Sequence, residues 1–200
     1  MSLGRSGSRD ATCTDYGLDD NGDSYHETIC GAVNAGTVFA VAAGNSAAHA
    51  EGAVPAAYND TVLAVSAVQQ DEDAEGEVFA EFSNWGDGLF DWLDDQGPQS
   101  APVALAAPGV DVLSTWNDGR LHVGSGTSMA APHVAGGAVL LIAAHDVSGE
   151  QGRQAFLEVR AALMDGAEST DGWEDDSSFE DEADDLEQRQ EGFLDLRFLE

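Results

Sequence analysis

The sequence contains no lysine, and this absence dominates its charge. The sequence has seven arginines and 38 aspartate and glutamate residues, which gives a formal net charge of −31 at pH 7. A nucleic-acid partner is therefore not expected, because binding to phosphates needs a cationic surface that displaces counterions. The acidity suits concentrated salt, in which the Debye length falls to about 3 Å and a self-repelling surface is tolerated. We expect salt adaptation, with loss of structure in dilute buffer.

Cysteine is also scarce, since only Cys13 and Cys30 occur, at the two ends of a polar loop. A disulfide between them would suit an oxidising compartment, and two free thiols are the alternative. Asp19, Asn21 and Asp23 alternate as in an EF-hand loop. However, Ser24 stands where that loop needs glycine and Cys30 where it needs glutamate, so the calcium motif fails and no metal ligand is assigned.

Long hydrophobic runs are missing as well. No stretch reaches the ~18 to 20 apolar residues that span a bilayer, and residues 1–10 lack the apolar core of a secretory signal. We therefore expect no membrane partner, and any export signal would lie outside this sequence. A hydrophobic content of 42% over 200 residues is enough for the core of one domain.

Three short apolar runs predict buried strands at 36–45, 61–68 and 102–109. Unbroken apolar runs of this length are typical of strands that are covered on both faces, as in a parallel sheet. The sequence therefore favours an α/β fold.

Two helices are expected after these strands. The stretch from Ser128 to residue 144 is apolar on all sides, which predicts a central buried helix, with Pro132 in its first turn. An amphipathic pattern over 150–164 predicts a second helix on the outside of the sheet.

The domain organisation follows from a change of composition near the end. Residues 1–164 form the expected core, and residues 165–190 are rich in Asp, Glu, Ser and Gly, which indicates a solvated segment. Residues 191–200 are apolar enough to dock back onto the domain.

The stretch "GSGTSMAAPHVAG", residues 124–136, suggests a catalytic serine. A serine hydroxyl becomes a nucleophile only when a base takes its proton and fixed donors receive the developing charge. A helix beginning near Ser128 would supply backbone N–H groups, and Asn45 follows a predicted strand at the end where ligands gather. The alternatives are that Ser128 is an N-cap and that Asn45 belongs to an ordinary turn.

Taken together, these segments resemble the subtilisin-like serine proteases, the S8 peptidase family. "GTSMAAPHVAG" resembles the family's nucleophile segment, "VAAGN" its oxyanion-asparagine strand, and "FSNWG" with "LAAPGVDVLST" the approach to the nucleophile. The resemblance implies a three-layer α/β fold with a mostly parallel sheet and a central buried helix starting at Ser128.

The resemblance also implies roles for particular residues. Ser128 would be the nucleophile, and the Asn45 side chain would donate to the oxyanion together with the Ser128 backbone N–H. An extended peptide would bind by strand addition beside a specificity pocket with two walls. The walls are Ser2, Leu3 and Gly4 on one side and Ala42, Ala43 and Gly44 on the other. The substrate would be a peptide or protein outside the cell, with no cofactor required and a structural calcium ion possible.

The family's other two catalytic residues have no counterpart. Its order is Asp, His, Ser, with "DTG"-like and "HGTH"-like contexts that do not occur in residues 1–127. The sequence has five histidines, none in such a setting: His26 and His49 in polar loops, His122 before the serine, and His133 and His145 on the predicted helix. An α/β-hydrolase assignment, which needs an acid and then a histidine after the serine, also fails, because the only histidines there, His133 and His145, lie within or at the end of the predicted helix.

We therefore expect the C-terminal part of a subtilisin-like catalytic domain, without the N-terminal part that holds the catalytic Asp and His. A separate N-terminal segment would then be a partner. Such a chain would be a serine endopeptidase by family, inactive or weakly active by itself. The alternative is a non-catalytic remnant that binds peptides.

Overall fold

The computed structural model describes residues 1–9, 12–14, 22–71, 76–86, 103–145, 152–167 and 193–195. Their elements, in chain order, are β1 (Arg5–Ser6), α1 (Ser24–Asn34), β2 (Ala40–Ala42), a 3-10 turn (Ala50–Gly52), β3 (Ala53–Val54), β4 (Leu63–Asp71), β5 (Gly76–Phe79), β6 (Leu105–Pro108), β7 (Val112–Thr115), β8 (Leu121–Gly124), α2 (Thr127–His145) and α3 (Arg153–Asp165).

The main sheet is organised around β4. This strand runs parallel to β2, with Ala42 opposite Val65, and parallel to β6, with Val65 opposite Leu105. Among the described strands, only β5 pairs with it in the antiparallel sense. Because Val65 and its neighbours on β4 are fully buried, alternation of polar and apolar residues is absent there, as expected for a covered strand. The predicted mostly parallel sheet is confirmed; β2 and β6 are shorter than the apolar runs that predicted them, and β4 begins within its run and extends beyond it.

Helix α2 lies across β2, β4 and β6 and also contacts α3. The buried face presents small and branched residues to the sheet, and its members are Ala130, Ala131, Val134, Ala138 and Leu141. The expectation that this helix is buried on all sides is wrong. Its other face exposes Val139, Leu140 and Ile142, because no element in the described part of the chain covers it. We call these three residues the open face of α2.

The first 18 residues of α2, Thr127–Ala144, are long and apolar enough to cross a membrane by length and composition alone. The expectation that no stretch reaches this limit is therefore wrong. Core helices of globular domains pass the same test, and α2 packs on three strands of the sheet.

The sequence suggested that the whole segment between the two cysteines is a loop, but part of it is helical. Helix α1 begins in it after Asp23, whose side chain caps the helix by accepting from the Tyr25 N–H at 2.9 Å. Its buried face repeats at helical spacing and consists of His26, Ile29, Cys30 and Val33. Cys13 and Cys30 form a disulfide, which decides between the two states that the sequence left open.

The C-terminal elements return to the core. Helix α3 matches the predicted second helix within a few residues and buries Phe156, Val159 and Leu163. Further on, Phe193 forms a parallel bridge with Ala106, and the Leu194 N–H donates to the Ala106 carbonyl at 2.9 Å. Most of the acidic segment 165–190 lies outside the described residues.

Candidate active site

Ser128 is the second residue of α2, in the first turn and not at the N-cap. The preceding Gly126 has φ +149°, and its carbonyl accepts from the Met129 N–H at 2.9 Å. The Ser128 N–H has no acceptor in the described part of the chain, as is usual for the first N–H groups of a helix. This N–H is therefore a donor open to a ligand, at the positive end of the helix dipole.

The Asn45 side chain lies beside the same turn. Its Oδ1 accepts from the Thr127 N–H at 2.9 Å and from the Thr127 hydroxyl at 3.0 Å. Because a backbone N–H can only donate, the amide oxygen must face Thr127, and the Nδ2 donor is turned away from it. A Cβ at Gly126 would come within 3.3 Å of Nδ2, so the glycine leaves room around this donor.

Thr127 is a positioning residue that the sequence analysis missed. It is fully buried, and its hydroxyl donates to Asn45 and accepts from the Gly44 N–H at 3.2 Å. The start of α2 is thereby tied to the chain that follows β2. Its place directly before the serine was the available signal, because only a short polar side chain there can reach both groups.

A second missed residue is Asn84, within the "FSNWG" motif. Its Oδ1 accepts from the N–H groups of Ser46 at 2.9 Å and Ala48 at 3.3 Å, and its Nδ2 donates to the Ala43 carbonyl at 3.0 Å. Its backbone N–H donates to the Gly44 carbonyl at 2.9 Å. Asn84 therefore holds the loop that carries Asn45 in one conformation.

The N-terminal residues lie beside the start of α2. The Met1 carbonyl accepts from the Ala42 N–H at 3.0 Å, and Arg5 pairs with Val54 in the β1–β3 ladder. Residues 2–4 lie between these two paired stretches, outside any strand and exposed to solvent. The role of Ser2, Leu3 and Gly4 as a wall of a specificity pocket stays a prediction.

Ser2 also contacts Ser128, for a reason that lies in the helix. Pro132 is the sixth residue of α2, not part of its first turn as expected, and it lacks the N–H that the Ser128 carbonyl would accept. The Ser2 hydroxyl donates to that carbonyl instead, at 2.9 Å. The proline therefore creates the acceptor through which the N-terminal wall is fixed next to Ser128.

The opposite wall, residues 42–44, is already hydrogen-bonded within the protein. Its three successive N–H groups donate to the carbonyls of Met1 and Val65 and to the hydroxyl of Thr127. This wall can shape a pocket, but it has no spare N–H for a peptide. Strand addition would therefore use the backbone of residues 2–4.

No histidine in the described residues is hydrogen-bonded to Ser128. Four of the five have other partners: His26 Nε2 lies 3.0 Å from Asp60 Oδ1, His49 Nδ1 3.7 Å from Glu51 Oε2, His122 Nε2 2.9 Å from Asp118 Oδ2, and His133 Nδ1 2.8 Å from the Met129 carbonyl. The side chain of His145 is outside the described residues. The expected polar loop around His26 is wrong, because this histidine is buried on α1.

Comparisons with known proteins agree with this geometry. The Peptidase S8 model, described as the subtilase family, matches residues 1–193. Proteinase T of Parengyodontium album is 42% identical over 103 residues, 52% of this chain and 28% of that protein. A thermophilic serine proteinase of Bacillus sp. (strain AK1) is 36% identical over 156 residues, 78% of this chain and 32% of that protein.

A solved structure with a similar fold is a protease from Pseudoalteromonas arctica. It is 29% identical, with a TM-score of 0.60, and the match covers 84% of this chain and 43% of that one. The expected subtilisin-like α/β fold is confirmed. The chain spans about a third of the length of these curated relatives.

Proposed function

Because the chain belongs to the subtilase family of serine peptidases, we propose that it carries the nucleophilic half of an endopeptidase site. The observation that carries this proposal is the pair of hydrogen bonds from Thr127 to Asn45 Oδ1, which turns Nδ2 away from Thr127 as a second donor next to the open Ser128 N–H. Two preorganised donors of this kind form an oxyanion hole, the largest single contribution in many acyl-transfer enzymes.

In the proposed reaction, Ser128 Oγ attacks the carbonyl carbon of a peptide bond. The carbonyl oxygen becomes an oxyanion and accepts from the Ser128 N–H and from Asn45 Nδ2. The hydroxyl proton passes to a base and then to the leaving amine, and water hydrolyses the acyl-enzyme. Residues 2–4 would hold the substrate backbone, and the chemistry needs no cofactor. A structural calcium ion is compatible with it but plays no part in these steps.

The base and its orienting carboxylate would come from a second polypeptide segment with the family's Asp and His. The open face of α2 supports this proposal, since Val139 is 65% and Leu140 54% exposed on a helix whose other face is in the core. Contiguous apolar surface of this kind marks an interaction site. The chain covers 43% of the related protease structure, so the rest of such a domain is large enough to cover that face.

The test is a protease assay of the 200-residue chain in concentrated salt, alone and with the polypeptide encoded directly upstream of the Met1 codon. Alone, we expect no more than the ~10³ to 10⁴-fold acceleration over water that remains without a triad. With an Asp- and His-bearing segment, cleavage of a peptide substrate should rise and be blocked by a serine-directed inhibitor.

Two matched variants make the assay specific. Ser128→Ala should abolish the cleavage that the added segment restores, and Ser125→Ala, three residues earlier, should retain it. Strong inhibitor-sensitive cleavage by the chain alone would show that no second segment is needed. Absence of cleavage with a bound segment in place would overturn the peptidase proposal.

A second candidate function is peptide binding without cleavage, which the exposed backbone of residues 2–4 favours. A labelled peptide would then bind with the same affinity to the chain and to Ser128→Ala, and no cleavage would follow addition of the segment. Competition of that peptide by a strand-forming peptide inhibitor would place binding at this edge.

Salt adaptation and an extracellular location belong to the same proposal. The net charge of −31 supports the first, because screening in concentrated salt reduces repulsion between surface carboxylates. Circular dichroism should show native helix content in molar salt and its loss in dilute buffer. An unchanged spectrum would contradict salt dependence.

The family resemblance supports the extracellular location, which secretion of the full gene product would test.

A further inference from the structure

Helix α3 carries a buried guanidinium whose hydrogen-bonding capacity is only partly used. Arg160 is 1% exposed, and its Nη1 donates to the Asn59 carbonyl. Its Nε and Nη2 have no hydrogen-bond partner in the described part of the chain. These two nitrogens share one edge of the planar group, so their N–H bonds point the same way, as in the fork that arginine offers to an anion. A complete anion-binding edge is therefore buried without an acceptor among the described residues.

A second arginine of α3 lies in the same neighbourhood. Arg153 precedes Arg160 by seven positions, a spacing that places both on one face of a helix. Its Nη1 donates to the Cys13 carbonyl at 2.9 Å, and its Nη2 lies 3.9 Å from Asp60 Oδ2. Its Nε is buried and, within the described ranges, has no partner. One face of α3 therefore presents two cationic groups with unused donors.

Asp60 is the carboxylate near these cations, and it is already occupied. It is buried in the turn before β4 and accepts from the Cys13 N–H at 2.8 Å and from His26 Nε2 at 3.0 Å. Burial opposes its ionisation, but these hydrogen bonds and the nearby charge of Arg9 hold its pKa below the usual value. Asp60 therefore supplies a single negative charge.

This one charge does not compensate the two arginines of α3. The 3.9 Å between Arg153 Nη2 and Asp60 Oδ2 is longer than a hydrogen bond. Burial lowers the pKa of Arg160 to about 10, and the charge of Asp60 opposes this shift only in part. A buried cation is costly unless it is paired and hydrogen-bonded. Uncompensated positive charge and unused donors therefore occur at the same place.

We propose that one chloride ion binds at the Nε–Nη2 edge of Arg160, next to the second positive charge of Arg153. Chloride is monovalent and only accepts, so it satisfies the fork and neutralises the excess charge together. Sulfate or phosphate has several oxygens and would need more donors than these residues offer. A water molecule also accepts from the fork, but it leaves the positive charge uncompensated.

The bound ion would strengthen the attachment of α3 to the rest of the chain. Arg160 already donates to the turn before β4 and Arg153 to the segment 12–14. An anion between the charges of α3 and this turn removes the cost of burying them. The chain should therefore need chloride itself, in addition to the screening of its surface carboxylates that any salt provides.

The test separates chloride from ionic strength. Gluconate, an organic anion too large for a buried site, replaces chloride at one constant molar ionic strength, and thermal unfolding of the full chain is followed by circular dichroism. Above the dissociation constant, each tenfold rise in chloride should raise the Tm by about 3 to 6 °C. A Tm that is the same at every chloride fraction would overturn the proposal and indicate water in the fork.

Two matched substitutions locate the ion. Arg160→Met keeps most of the aliphatic stem and removes the fork, so the rise of Tm with chloride should disappear. Arg120→Met makes the same change in the exposed turn between β7 and β8 and should keep the wild-type rise. If Arg160→Met does not fold, Arg153→Met should weaken chloride binding about 10-fold, because a charged donor is lost. A wild-type response in Arg160→Met, or in Arg153→Met where Arg160→Met does not fold, would refute the site.

Bromide gives a direct view of the position, because it substitutes for chloride and scatters anomalously. Crystals of the wild-type chain grown in bromide should show an anomalous peak within hydrogen-bond distance of Arg160 Nε and Nη2. Peaks on the surface only would mean adventitious ions and would contradict the proposal.

Discussion

The two faces of α2 have similar composition and opposite surroundings. One face packs into the sheet, with Leu141 1% exposed, and the adjacent Leu140 on the other face is 54% exposed. At the N-terminus of the same helix, the hydrogen bonds among Asn45, Thr127 and Gly44 are complete without any further chain. The difference shows that the start of α2 is organised by residues of this chain, whereas no described element covers the open face.

The largest expected effect separates the two faces directly. Leu141→Ala should lower the free energy of unfolding by about 2 to 5 kcal/mol, because it leaves a cavity in the core. Leu140→Ala should change it by less than about 0.5 kcal/mol in the isolated chain. Denaturant unfolding followed by circular dichroism measures both. Equal losses would mean that the open face is already covered in solution.

The role of Asn45 at the N-terminal end of α2 can be tested by measuring kcat after the chain is combined with the Asp- and His-bearing segment. Asn45→Ala should lower kcat by about 10² to 10³, because one of the two oxyanion donors is lost. Asn117→Ala, in the exposed turn between β7 and β8, is the matched control and should retain full activity. An Asn45→Ala complex that kept its wild-type kcat would show that the donor lies elsewhere.

Substitution of Gly44, in the loop that carries Asn45, should lower the stability of the chain. Its φ is +117°, and an added Cβ would lie 2.4 Å from Asn84 Nδ2. Gly44→Ala should destabilise the chain by about 2 kcal/mol or more, from backbone strain and the clash together. Gly36→Ala shares a positive φ of +93° but has open space, so we expect about 1 kcal/mol. Thermal unfolding compares them, and a larger loss at Gly36 would contradict the clash.

The smallest expected effect is at Ser2, next to Ser128. Ser2→Ala removes the donor to the Ser128 carbonyl and should cost about 0.5 to 1.5 kcal/mol, since Pro132 cannot replace it. Ser6→Ala, on exposed β1, should cost less. Chemical denaturation of the two variants in parallel measures the difference, and no difference would mean that water satisfies the carbonyl equally well.

Much of the fold was predictable because its signal is local. The apolar runs that became β2, β4 and β6 predict covered strands wherever they occur, and α3 shows a regular amphipathic pattern. Helix α1 was missed because polar residues and two cysteines hid a four-residue buried face that includes a histidine. In the candidate site, Ser128 and Asn45 were found from their motifs, and their roles stay predictions.

Thr127 and Asn84 could not be assigned from the sequence, because their function is to join distant segments. Thr127 contacts residues that precede it by more than 80 positions, and Asn84 organises a loop about 40 positions earlier. Spacing along the chain carries no information about such pairs. A short polar residue beside a motif is the only local sign of them.

The sequence by itself determined the charge, the buried strands and the family motif around Ser128, because each depends on residue type and near neighbours. The tertiary structure alone decided which face of α2 is buried and that Cys13 and Cys30 are bonded. It also brought His26, Asp60 and three arginines to one place, and set the Asn45 amide with its nitrogen away from Thr127. These features depend on which distant segments meet, and that is settled only when the sheet and its helices pack.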